Sequence, residues 1–237
     1  MSHDDIDRRQ QIGTGLRTVN ERIERACADA GRDPSVITLV VVTKFFPASD
    51  VRLLAELGVR DVGENRHQEA AEKAPECSDL DLTWHFIGGL QSNKATALTG
   101  WADVVHSVDR PKLVSGLSRG AQERGRPLDC LVQVSLDPPD ASGRSGCDPE
   151  NLPALVERIQ TAGGLRLRGV MGVAPLGGDP SEAFGRLAEH AAAVRRQKPD
   201  ATWLSAGMSA DLEAAVRAGA THLRIGSAVL GPRPVVQ

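Results

Sequence analysis

Lys44 follows directly on the most apolar stretch of the chain, Val36-Ile37-Thr38-Leu39-Val40-Val41-Val42. A lysine leaving a buried strand can be desolvated, which lowers the pKa of its amine and frees it as a nucleophile toward aldehydes. The plainer alternative is a solvated lysine at a strand end, and the residue alone does not separate the two. Ser205-Ala206-Gly207-Met208-Ser209 ends a strand-like segment and opens a helical one. Backbone N–H groups at such a junction cradle phosphate, and Gly207 lets the backbone approach closely. The same residues also read as an ordinary helix start, with Ser209 as the cap and Asp211 and Glu213 favouring the helix dipole. Gly226-Ser227 is a second glycine-serine turn, and Arg224 stands just before it at the end of the last strand, where an ion pair across the barrel top is the plainer reading. Glu64, Asn65, His85 and His106 lie on strand-like segments or at their ends, where each can equally be a structural hydrogen-bonder. Gln91-Ser92-Asn93-Lys94 reads as a polar cluster or as a plain helix start.

Something must bring these distant residues together. Residues 5–31 carry Ile12, Leu16, Val19, Ile23, Cys27 and Ala30 at helical spacing, which predicts a leading amphipathic helix closed by Gly31 and Pro34. The apolar run after it looks like a parallel strand buried on both faces. From there helix and strand signals alternate: helix 49–57, strand 61–62, helix 66–73, strand 84–87, helix 93–98, strand 103–106, helix 111–124 and strand 128–134. After a loop rich in Pro, Gly and Ser at 137–149 come helix 150–161, strand 165–171, helix 181–198, strand 202–204, helix 210–218 and strand 221–225. About eight βα units in roughly 200 residues predict a closed (β/α)₈ barrel of TIM type with an extra N-terminal helix, over an open doubly wound sheet. No linker-like composition shift appears, so residues 1–237 are read as a single domain. A barrel carries its chemistry at the C-terminal ends of its strands and often holds phosphate between the loops after strands seven and eight. Lys44, Asn65, Ser205 to Ser209, Arg224 and Gly226-Ser227 all fall there.

Composition narrows the function. With 41% hydrophobic residues, 25% charged residues and a formal net charge of -3, the chain has no basic excess that would point to nucleic acid. No apolar run approaches the roughly 18 residues needed to span a bilayer, and the polar, acidic start (Met1-Ser2-His3-Asp4-Asp5) does not read as a signal peptide. The four cysteines are far apart with no CxxC pair, so reduced thiols, a cytoplasmic location and no metal site are expected. The sequence contains no tyrosine, which excludes a tyrosine acid or base from this chain.

Taken in order, Thr43-Lys44, Gly63-Glu64-Asn65, Trp84 to Gly88, Leu90 to Lys94, His106 to Arg110, Gly207 to Asp211 and Arg224 to Gly226 resemble the pyridoxal phosphate homeostasis proteins. The resemblance runs from the leading helix to Gly231, and the stretch Trp84 to Lys94 is its most specific part. It implies a barrel like the N-terminal domain of alanine racemase, the fold type III pyridoxal phosphate barrel. It makes Lys44 the lysine that holds pyridoxal 5′-phosphate as a covalent aldimine (Schiff base). It places the phosphate among Ser205, Gly207, Met208, Ser209, Gly226 and Ser227, Arg224 near the pyridine nitrogen and Asn65 near the ring. It implies a role in cofactor homeostasis and carriage, with apo-enzymes that use the cofactor as partners. The chain departs from the family at Gly89 (usually proline), Arg66 (usually tyrosine), Ala206 (commonly methionine) and in the loop after strand five, with Ser135 and Pro138-Pro139.

Carbanion chemistry uses the pyridine ring as an electron sink, and an always-charged arginine at the ring nitrogen disfavours the proton that strengthens that sink. Alanine racemases share such an arginine but add a tyrosine base from a second domain, and neither feature is read in this sequence. A non-catalytic, monomeric carrier is the expectation. The alternatives are a weak racemase- or lyase-type enzyme and an aldolase-type barrel that uses the same lysine without the cofactor.

Overall fold

The computed structural model describes residues 3–138 and 146–232. A long helix α1 (His3–Asp29) comes first and stops at Gly31, whose φ of 63° is left-handed. Eight parallel strands follow: β1 (Thr38–Val42), β2 (Asp61–Glu64), β3 (Thr83–Phe86), β4 (Val104–Val108), β5 (Leu128–Gln133), β6 (Leu165–Met171), β7 (Trp203–Ser205) and β8 (His222–Ile225). They are interleaved with α2 (Ala48–Glu56), α3 (His67–Glu76), α4 (Ala95–Leu98), α5 (Pro111–Glu123), α6 (Leu152–Thr161), α7 (Pro180–Gln197) and α8 (Leu212–Arg217), and α9 (Ser227–Leu230) comes last. The strands close in sequence order, β1 pairing β2 on one side and β8 on the other, so the chain is an eight-stranded parallel barrel, as the alternation predicts.

The element limits differ from the sequence reading where local chemistry competes. Residues 34–36 form a 3-10 turn instead of the start of β1, because Asp33 caps Ser35 and Pro34 presets the first helical position. Residues 92–94 and 149–151 are likewise 3-10 turns leading into α4 and α6. The eighth helix begins at Leu212 instead of Ala210, and Ser209 is not its cap. The Asp211 carboxylate accepts the Met208 N–H at 2.6 Å and holds residues 208–211 as a separate turn. A short helix, α9, occupies what reads in sequence as a bare glycine-serine turn.

Side chains alternate across each strand, as a pleat requires. Outward residues such as Val41, Val62, Trp84, Phe86, Val105, Leu223 and Ile225 join one apolar layer with the helices. Two groups stand out among the inward residues. Val104, Leu131 and Met171 make a small apolar cluster with Val173 and Trp203, and His85, His106, Ser205, His222 and Arg224 are buried polar groups. The first helix packs against α8 and α9 outside the strands. Gly15 lets it close on α9, since a Cβ there would overlap the Val229 carbonyl. Among the described residues, no helix is long and apolar enough to cross a membrane.

Candidate functional site

β1 and β8 are register neighbours, with Val40 opposite Arg224 and Val41 opposite Ile225. That pairing sets the end of the first strand beside the end of the last, so Lys44 and Arg224 face one space although 180 residues separate them. A cavity of about 460 Å³ opens there, within the usual range for small-molecule sites. Lys44, Asn65, Met208, Ser209, Arg224, Gly226 and Ser227 line it, and Val42, Phe46, Ile87 and Val173 supply apolar wall. Seven of the nine residues that the resemblance assigns to the cofactor therefore share one pocket. Ser205 and Gly207 lie behind its surface.

Each of those two has a task there. Ser205 is fully buried, and its Oγ accepts a hydrogen bond from Arg224 Nη1 at 2.6 Å. Arg224 Nη2 donates to the Gly172 carbonyl at 3.0 Å, so two of its donors are held by the protein. Burial pushes the guanidinium down to about 10, which leaves it charged at neutral pH. Gly207 has a φ of 90°, and a Cβ on it would stand 2.6 Å from the Ala215 Cβ and 2.9 Å from Leu223 Cδ2. Only glycine fits a turn that is both left-handed and packed this closely. Its carbonyl accepts the Arg224 backbone N–H at 3.0 Å.

The loop after β7 is clamped from outside. Arg22 of α1 donates to the Ser209 carbonyl at 3.1 Å and grips the Glu213 carboxylate with Nε and Nη2. The leading helix thus positions one wall of the pocket, which its amphipathic pattern alone does not reveal. At the other wall, the first intrahelical bond of α9 runs from Val229 N to Gly226 O at 2.9 Å. The Ser227 and Ala228 N–H groups precede that bond and belong to the helix's open end.

The lysine turn has a support of its own. Lys44 is half-buried, and Phe45 after it has a φ of 70°, a strained value for a residue with a side chain. The flanking backbone is pinned on both sides. The Thr43 carbonyl accepts Lys73 Nζ at 3.0 Å, and the Phe45 N–H donates to Glu69 Oε1 at 2.6 Å. Lys73, 6% exposed, also bonds Glu64 Oε1 at 2.6 Å and Glu69 Oε1 at 3.2 Å, while the Thr43 hydroxyl donates to Glu64 at 2.7 Å. Burial pushes the Glu64 carboxyl up, and Lys73 and Thr43 pull it back. Thr43 and Glu64 face outward from the barrel toward α3, whereas Lys44 faces inward. Glu64 is therefore part of the scaffold behind the lysine. Lys73, Glu69 and Arg22 have no sequence signal beyond helical spacing, because their partners come from distant elements.

The family-specific substitutions also have places. Arg66 lies over the Phe45 ring, 5.2 Å from its centroid. Gly89 borders a side compartment with Gln133 and Asp137, directly after Gly88, where a Cβ would overlap the Asn65 carbonyl. Ser135 pairs its N–H with the Cys147 carbonyl, but Pro139 and residues to 145 lie outside the described residues. All four cysteines are free and buried, and burial pushes the Cys147 thiol up to about 12, which marks it as packing.

Barrel, pocket and lysine together define a class. The model of the alanine racemase N-terminal domain family matches residues 20–234. Alanine racemase from Corynebacterium glutamicum has the same fold, with a TM-score of 0.70 at 14% identity over 96% of this chain and 62% of that one. The pyridoxal phosphate homeostasis protein of Mycobacterium bovis is 42% identical over 247 residues, covering 96% of this chain and 95% of that one. The structure of PipY from Synechococcus elongatus with PLP bound superposes with a TM-score of 0.77 at 38% identity, covering 88% and 99% of the two chains. The chain belongs to the pyridoxal phosphate homeostasis protein family, within the alanine racemase N-terminal domain fold.

Proposed function

We propose that this chain binds pyridoxal 5′-phosphate at the barrel mouth, covalently through Lys44, and holds it for cellular cofactor balance without robust turnover. One observation carries the reading: a single cavity presents the Lys44 amine, the Arg224 guanidinium and the polar turns at Ser209 and Gly226-Ser227 together. This donor set suits a ligand with an aldehyde, a ring nitrogen and a phosphate. When bound, the cofactor supplies an electrophilic aldehyde and an electron-withdrawing ring. The chain's residues would do the rest. Lys44 would take the aldehyde carbon, Arg224 would donate toward the ring nitrogen and keep it unprotonated, and Asn65 would lie near the ring. Ser209, Ser227 and the first N–H groups of α9 would hold the phosphate, with Ser205 and Gly207 shaping the floor beneath them. Alanine racemases share an arginine at the ring, so what weakens the case for racemisation is the absence of any tyrosine from the sequence to act as a second base.

A second reading, a weak amino-acid racemase or lyase, draws on a side compartment of about 200 Å³ that shares Ile87 and Val173 with the main cavity and also contains Gln133 and Asp137. Incubation of cofactor-loaded protein with amino acids separates the two. Stoichiometric release of cofactor, with no accumulation of the opposite enantiomer or of a lyase product, supports the holder. Many turnovers per protein, abolished by Lys44→Ala, would replace it with the enzyme.

A further inference from the structure

The interior of a TIM-type barrel is ordinarily filled by branched apolar side chains. Here an unbroken line of polar groups crosses it. Asp61 Oδ1 lies 2.9 Å from His85 Nε2, His85 Nδ1 lies 2.9 Å from His106 Nε2, and His106 Nδ1 lies 2.9 Å from Ser205 Oγ. Ser205 Oγ in turn accepts from Arg224 Nη1 at 2.6 Å. Asp61 opens β2 at the end of the barrel opposite the cavity, and its side chain is 28% exposed. His85, His106, Ser205 and Arg224 are all at least 95% buried. Buried polar chains of this kind add little stability over well-packed apolar residues, so the fold alone does not account for them.

The two ends dictate where the hydrogens sit. An arginine can only donate and a carboxylate can only accept. The Ser205 hydroxyl, accepting from Arg224, donates its own hydrogen to His106 Nδ1. His106 then carries its hydrogen on Nε2 and gives it to His85 Nδ1, and His85 gives its Nε2–H to Asp61. Every link has one hydrogen and both rings are neutral. In the competing arrangement His85 is a cation, both of its nitrogens donate, and the Ser205 hydroxyl loses its acceptor within the line. That arrangement also places a second positive charge in the barrel that holds Arg224. Burial and the surrounding His85, His222 and Arg224 already hold the His106 imidazole well toward its neutral form.

We infer that Asp61, His85, His106 and Ser205 are positioning residues for Arg224, a one-directional hydrogen-bond relay that anchors its guanidinium at the cavity floor from the far end of the barrel. Arg224 also lines the cavity, so the relay ends on a residue that a ligand there can reach. Its bearing on the ligand rests on the pyridoxal phosphate reading above, but the hydrogen positions do not.

The test uses the full ¹⁵N-labelled chain at pH 7.5, first without added ligand. Long-range ¹H–¹⁵N correlation should show His85 and His106 as neutral rings, each with its hydrogen on Nε2. The Arg224 side-chain N–H signal, assigned by its loss in Arg224→Lys, should move in His85→Phe and in Asp61→Leu and stay in place in Asp61→Asn, whose amide oxygen still accepts. Titration with pyridoxal 5′-phosphate should give affinities about 3- to 10-fold weaker for the two disrupting variants, the worth of about one hydrogen bond, and within about twofold of wild type for Asp61→Asn. If His85→Phe does not fold, Asp61→Leu carries the comparison from the solvent-exposed end. A cationic His85, a hydrogen on Nδ1 of either ring, or disrupting variants with an unmoved Arg224 signal would overturn the relay. Should the wild-type chain take up no pyridoxal phosphate, the ligand reading fails while the imidazole and Arg224 signals still decide the relay.

Discussion

Replacing Lys73 by methionine tests whether the support behind the lysine turn is built as described. The substitution keeps most of the side-chain volume and removes the charge. Glu64, fully buried and bonded by Lys73 at 2.6 Å, would keep only the Thr43 hydroxyl. Breaking a buried pair by removing one partner costs about 3–5 kcal/mol. For a chain of this length that corresponds to a fall in Tm of roughly 6–20 °C. The deficit should depend on pH in a definite direction. Burial raises the folded-state Glu64 carboxyl above its unfolded value, and losing Lys73 raises it further. Below the unfolded value both states hold the proton and the deficit is smallest. It grows as pH rises through the window between the two, where the folded state resists ionisation. The double variant Glu64→Leu/Lys73→Met removes both charges and should recover most of the stability. It still lacks the bond from Lys73 to the Thr43 carbonyl, so uptake of pyridoxal phosphate should remain impaired. Urea denaturation at pH 5 and pH 8, alongside cofactor titration, reads both effects. A Lys73→Met variant within about 1 kcal/mol of wild type, or a double variant no more stable than the single one, would refute the assignment.

Two further outcomes follow from the barrel interior and the loop after β7. Burial pushes His222 down to about 3, so the folded state resists the proton that the unfolded chain accepts near 6.5. Its contribution is complete above that unfolded value and declines as pH falls toward the folded one, reaching about 2 kcal/mol of loss at pH 5; His222→Phe should shrink the difference in denaturation free energy between pH 8 and pH 5 by about that amount, and an unchanged difference would contradict the burial. Gly207→Ala adds a Cβ into Ala215 and Leu223 at a φ of 90° and should cost about 2–4 kcal/mol while weakening pyridoxal phosphate binding, since the same turn carries the carbonyl that accepts the Arg224 N–H; thermal unfolding with a parallel cofactor titration measures both.

The barrel was legible because burial on both faces leaves a plain mark. The run from Val36 to Val42 and the repeated βα rhythm announce a closed parallel sheet, and strand ends then name Lys44, Arg224 and the two glycine-serine turns. Helix limits were less legible where one side chain decides them. Asp211 reaches back to the Met208 N–H and delays α8 to Leu212, and no periodicity registers such a bond. The supports of the site were the least legible. Glu64 could be assigned to a strand, but its outward direction and its pairing with Lys73 depend on which helix packs over that strand. His85 and His106 likewise looked like isolated polar residues, and the line from Asp61 to Arg224 exists only because β2, β3, β4, β7 and β8 face one interior. Arg22 shows the same limit at longer range, since its partners lie 191 and 187 residues away, on α8 and in the loop before it.

Attachment of the cofactor to Lys44 can be measured directly. Purified full-length chain is saturated with pyridoxal 5′-phosphate, reduced with borohydride, digested and mapped by mass spectrometry. The protein should be yellow before reduction and carry a single dominant phosphopyridoxyl-modified site at Lys44, absent from Lys44→Ala. A modification centred on Lys73, Lys94 or another lysine, or a protein that takes up no cofactor at all, would contradict it.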